Sequence, residues 1–111
     1  MTSEDRLEKT THVLSLLDLY GDLLTAKQQD YLNFYYQDDL SLSEIAEELG
    51  VSRNAVFDQI RRATRILEDY EEKLHLLKKH QERLALIDQI ETEEQIEHDK
   101  LEDYLQRLKE I

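Results

Sequence analysis

"SLSEIAEELGVSRNAVFDQIRRATRIL", residues 41–67, decides the fold of this 111-residue chain. Ser41 and Glu44 have the spacing of a capping box, in which a hydroxyl and a carboxylate each satisfy a free backbone N–H at a helix start. Leu40 and Ile45 sit at the staple positions around that start. The helix so opened is short, because Gly50 follows Leu49 where a left-handed residue ends a helix at little cost. Ser52 then caps a second helix, with Val51 and Val56 again at staple positions. Two helices joined by a turn built on glycine make a helix-turn-helix, here over 41–66. Ile45, Ala46 and Leu49 are expected on the inner face of its first helix, Val56 and Ile60 on that of its second. Ala46 has to stay small, since a larger side chain would push the crossing helices apart.

Nothing breaks the second helix until about His80, which predicts one continuous rod of about 42 Å at about 1.5 Å per residue. Advancing about 100° per residue from Val56 keeps Ile60, Ala63 and Leu67 within an arc of about 60° that faces the core. The opposite arc holds Asn54, Asp58, Arg61 and Arg65, with Arg62 slightly aside. A recognition helix enters the major groove with such residues outward and its N-terminal ones nearest the bases. By their hydrogen-bonding patterns Asn54 suits adenine, Arg61 guanine and Asp58 the cytosine amino group. Arg53, Arg62 and Arg65 complete the positive stripe, and Ser41, Ser43 and Ser52 stand at helix starts that suit phosphate oxygens. An outer face with Asp58 paired to Arg61 or Arg62 is also what any solvated helix shows. The helix-turn-helix spacing favours duplex DNA as the partner.

Upstream, Ser3 is expected to cap a first helix over residues 3–20, with Gly21 as its left-handed exit. Thr25 and Gln28 form a second capping box before a helix from Ala26 to about Tyr36. Downstream, Leu67, Tyr70, Leu74 and Leu77 recur at steps of three and four, the pattern of a packing seam, and predict a homodimer interface. Leu84, Ile87 and Ile90 extend that stripe, and Leu101, Tyr104, Leu105, Leu108 and Ile111 resume it. Of the six tyrosines, four are assigned to packing faces, which favours packing over base stacking. The expected class is therefore all-α: one domain over 1–111, a helix-turn-helix with a long recognition helix, and an acidic helical extension over 67–111.

Composition agrees. The chain has no proline and two glycines, so helix breakers are nearly absent. It has no cysteine, which excludes disulfides and thiolate zinc sites. His12, His75, His80 and His98 show no metal-ligand spacing, and isolated Gly21 and Gly50 cannot form a phosphate loop. No catalytic site, metal or cofactor is expected. The N-terminus lacks a secretion signal and no apolar run is long enough to span a bilayer, which predicts a soluble intracellular protein with no membrane partner. The formal net charge is -12, with both flanks acidic and residues 41–67 balanced at four acids and four bases. One module neutralising three or four phosphates would show a salt slope near -3, roughly, and weak affinity. Pairing two copies would raise it.

The stretch "LTAKQQDYLNFYYQDDLSLSEIAEELGVSRNAVFDQIRRATRILEDYEEKL" resembles region 4 of bacterial sigma factors, and more closely the YlxM family of small bacterial proteins. "SLSEIAEE", "VSRNAVFDQIRR", "ILEDYEEKL" and the opening "LEKTTHVLSLLDLYGDLLTAKQ" carry the likeness, over residues 7 to about 87. The resemblance implies a DNA-binding regulator associated with the signal recognition particle pathway in a Gram-positive cytoplasm. The competing class is a protein-interaction module that does not bind DNA and docks on a basic component of that particle, such as its GTPase or its RNA-binding part.

Overall fold

The computed structural model describes residues 2–111 and contains, among them, helices and turns but no strand. The first helix, α1 (Ser3–Tyr20), is capped by Thr2, one residue earlier than expected. Thr2 Oγ1 accepts the Asp5 amide at 3.2 Å, and Asp5 Oδ2 accepts the Thr2 amide at 3.1 Å. Ser3 lacks that reciprocity because Arg6, three residues on, has no acceptor. Val13, Leu16 and Tyr20 are the buried residues of α1, whereas Leu7 is exposed and Leu14 and Leu17 are half-buried.

Gly21 does not leave α1 in the left-handed region. Its φ is -54°, and it opens a 3₁₀ turn over Gly21–Leu23. What it supplies is room: a Cβ there would stand 3.3 Å from Leu17 Cδ1. Its carbonyl accepts Gln29 Nε2 at 2.6 Å, which ties the turn to α2 (Ala26–Leu32). The Thr25–Gln28 capping box opens α2 as expected. Regular α-helix ends at Leu32, four residues short of Tyr36, and Asn33–Gln37 form a wider π turn with Asp38 N donating to Asn33 O at 2.8 Å. Asp39 then takes φ +56°, a left-handed position Asp tolerates, and Leu40 N reaches back to Phe34 O at 2.9 Å.

The helix-turn-helix follows its sequence signals closely. Ser41 caps α3 (Leu42–Leu49), with Ser41 Oγ accepting Glu44 N at 3.0 Å and Glu44 Oε1 accepting Ser41 N at 3.1 Å. Gly50 has φ +67° and ends α3. A side chain there would meet nothing within 4 Å, so only the backbone resists it. We expect Gly50→Val to lower the unfolding free energy by about 1–2 kcal/mol, read as a urea midpoint shift, with Gly50→Asn costing less. Ser52 Oγ accepts Ala55 N at 3.1 Å and caps α4 (Arg53–Leu74). Val56, Ile60, Ala63 and Leu67 are its buried residues, and α4 packs against α1, α2 and α3. Leu49 was expected inside but is exposed; Ile45 and Ala46 alone are buried on α3. Tyr20 stacks on Tyr70 with ring centroids 5.9 Å apart, and its hydroxyl donates to Glu71 Oε1 at 2.6 Å.

The expected rod is broken. α4 ends at Leu74 rather than His80, because His75 takes φ +55°. Histidine enters that left-handed region more readily than most side chains. The His75 carbonyl then accepts Lys79 N at 2.9 Å and starts α5 (Leu76–Glu91). At the same residue the chain divides into two compact units, 1–74 and 75–111, so all of α4 belongs with the helix-turn-helix. The second unit is a hairpin of α5 and α6 (His98–Glu110).

In the hairpin, Leu86 and Tyr104 are buried, Ile90, Leu108 and Ile111 are half-buried, and Leu84, Ile87, Leu101 and Leu105 remain exposed. Glu93 closes it, accepting the Tyr104 hydroxyl and standing 2.5 Å from Lys100 Nζ. Lys100 and Tyr104 hold the Glu93 carboxyl below its ordinary range, and Glu93 in turn pushes Lys100 and Tyr104 above theirs. A lowered carboxyl stabilises the fold above its unfolded value and loses that contribution as pH falls through the folded one. The raised groups act oppositely, holding below their unfolded values and failing as pH rises through the folded ones. Amide exchange of α6 should therefore accelerate below about pH 4 in the wild-type chain, and Glu93→Gln should flatten that acid limb.

Candidate nucleic-acid interface

The apolar residues of α4 are spaced to face α1, α2 and α3, which turns the opposite side of the helix toward water. All nine predicted DNA contacts lie at the surface: Ser41, Ser43, Ser52, Arg53, Asn54, Asp58, Arg61, Arg62 and Arg65 are exposed. Asn54, Arg61 and Arg65 share the side of α4 opposite Val56 and Ile60, with Asp58 among them. Arg61 Nη2 stands 3.5 Å from Asp58 Oδ1, a pair in which both side chains are more than half exposed. Such a pair contributes only a few tenths of a kcal/mol, roughly, and yields readily to a phosphate or a base. Arg53, Arg62 and Arg65 form no ion pair among the described residues.

The two capping serines keep donor capacity. Ser41 Oγ and Ser52 Oγ each accept one backbone N–H, which leaves the hydroxyl hydrogen free to point outward. The first turn of α4 carries no acidic residue, so its positive dipole end is uncompensated by a local carboxylate.

Charge changes sign along α4. Residues 53–65 carry four arginines and one aspartate, whereas residues 66–74 carry four acids and one lysine. The cationic face therefore occupies the N-terminal thirteen residues of the helix, about 20 Å of it. One further residue, passed over in the sequence, borders this face. Phe57, about 100° from Val56, is 52% exposed. Its apolar character pointed inward; its angle was the signal that it points out.

The predicted dimer seam fares differently. Leu67 has no exposed surface, being part of the core that α4 makes with its neighbours, and Leu77 is buried as well. Tyr70 is half-buried against Tyr20, and Leu74 is 46% exposed. At Leu67 the leucine spacing packs against the chain's own helices.

A capped helix, a left-handed glycine and a longer helix with a cationic wet face define the helix-turn-helix class of protein. Residues 7–108 match the family model described as "Putative helix-turn-helix protein, YlxM / p13 like", and the chain belongs to that family, UPF0122. The match runs past residue 87, where the likeness legible in the sequence had faded, and takes in most of α6. A UPF0122 protein of Listeria innocua is 49% identical over 107 residues, covering 94% of this chain and 97% of the relative. UPF0122 proteins of Bacillus cereus and Bacillus anthracis are each 59% identical over 81 residues, 73% of this chain and 74% of the relative. Among the described residues no helix is long and apolar enough to cross a membrane, and no group of three or more metal-ligating side chains is assembled.

Proposed function

We propose that this protein is a DNA-binding regulator that reads duplex DNA through the N-terminal half of α4. The observation that carries the reading is the exposure of Asn54, Arg61 and Arg65 on one side of a helix whose other side is fully committed to the core. Asn54 and Arg61 address base edges, Arg53, Arg62 and Arg65 address phosphates, and Ser41, Ser43 and Ser52 fix the register of the helix starts on the backbone. Asp58 discriminates: it accepts from a cytosine amino group and is repelled wherever the groove offers only acceptors.

Weak affinity is built into the charge distribution. The acidic residues of 66–74 follow directly on the arginines, and they limit one copy to a few phosphates. A homodimer overcomes this by presenting two recognition helices. Of the residues predicted for its interface, Leu74 stays exposed on α4, and the hairpin offers Leu84, Ile87, Leu101 and Leu105 as further exposed apolar side chains. Titration of labelled genomic fragments at low salt tests the proposal, and retention unchanged by loss of Arg61 and Arg65 ends it.

The hairpin also favours a second reading. Residues 91–103 hold seven acids and one base beside exposed leucines, a surface suited to a basic protein. A component of the signal recognition particle, the partner class implied by the resemblance, would fit it. Retention of such a component by the wild-type chain, with no DNA retained at the same salt, selects this reading over the first.

A further inference from the structure

We infer that Phe57 is a base-reading residue, whose ring covers the 5-methyl group of a thymine in the major groove. The inference rests on the DNA-reading proposal and adds to it a contact of a different chemical kind. Large apolar residues of α4 are otherwise buried at Val56, Ile60 and Leu67, half-buried at Ile66, or placed at the far end at Leu74. Phe57, 52% exposed, is the one within the arginine-bearing segment that faces water. Its place among the arginines, within the segment proposed to enter the groove, is what gives that exposure meaning.

Its neighbours define what can cover it. Arg53 lies one turn before Phe57 and Arg61 one turn after, while Asn54 lies three residues before; these side chains are exposed. Two guanidinium groups flanking the ring favour a partner whose rim is anionic. Duplex DNA presents anionic phosphates at its rim and, at thymine alone among the four common bases, a methyl group on the groove floor. Phenylalanine is among the side chains that meet that methyl. Spacing agrees: four residues advance about 6 Å along the helix, a little under two base-pair steps of about 3.4 Å. Phe57 thus faces a base pair between those addressed by Asn54 and by Arg61.

The experiment begins by enriching random duplexes on the wild-type chain and resynthesising the recovered sequence with deoxyuridine at every thymine. Uracil keeps every hydrogen-bonding group and lacks only the methyl. The wild-type chain should bind the thymine duplex about fourfold more tightly per covered methyl, the worth of one buried methylene-sized group. Phe57→Ala, on an exposed position that leaves the fold intact by circular dichroism, should bind both duplexes alike, and Phe57→Leu should restore part of the difference. Equal binding of both duplexes by the wild-type chain, with affinity still dependent on Arg61 and Arg65, overturns the Phe57 contact and leaves DNA reading standing. No arginine-dependent retention overturns both.

Discussion

Leu67→Ala should lower the unfolding free energy by about 2–5 kcal/mol, a large share of the total for a domain this small. Leu67 has no exposed surface and lies on the face of α4 that packs against α1, α2 and α3. The hole left by its isobutyl group is bordered by the middle of a helix that cannot shift without moving all three neighbours. Collapse is therefore poor, and the loss belongs in the upper part of the range. In urea the midpoint should fall by more than about 1 M, with the slope unchanged. The drop should be the same at low and at high protein concentration. A midpoint loss that grew on dilution would return Leu67 to an interface between copies and contradict its place in the core.

Loss of Arg61 and Arg65 together should remove most DNA retention. If Arg61 engages a guanine edge, its side chain is worth roughly 2 kcal/mol, about thirtyfold in affinity. Arg65, a turn further from the helix start, is assigned to the phosphates in the proposed reading, and the logarithmic salt slope should flatten by about 1 for each phosphate contact removed. Arg83→Ala supplies the control, since Arg83 is exposed on α5 in the other unit of the chain. Equal effects of both variants would mean that net charge, and no particular face, governs retention. Both α4 substitutions fall on wet positions, so circular dichroism and thermal midpoint should stay at the wild-type values.

The helix-turn-helix was legible because its signals are local and redundant. Ser41 with Glu44, Gly50, and Ser52 each state one boundary, and the phase of Val56, Ile60, Ala63 and Leu67 states the inner face independently. The wet position of Arg61, Asn54 and Arg65 follows from that phase alone. Other features escaped for definite reasons. Gly21 and Gly50 look alike in the sequence, but Gly50 is needed for its φ and Gly21 for the space beside Leu17. The end of α4 is carried by His75, a residue that announces no turn, while Leu74 and Leu77 continue the helical spacing across the break. The π turn over Asn33–Gln37 has no residue signature at all. Periodicity, finally, tells that Leu67 is on a seam and is silent on whose surface fills the other half.

If α4 reads DNA as proposed, the reversal of charge halfway along it limits how much a single molecule can know about a genome. About 20 Å of helix acceptable to the groove spans about six base pairs. A word of that length recurs about once in every four thousand positions, so a chromosome offers many equivalent addresses. On the proposed DNA reading, selection of one address among them has to come from a second word read at a fixed distance, or from a companion already standing at the site.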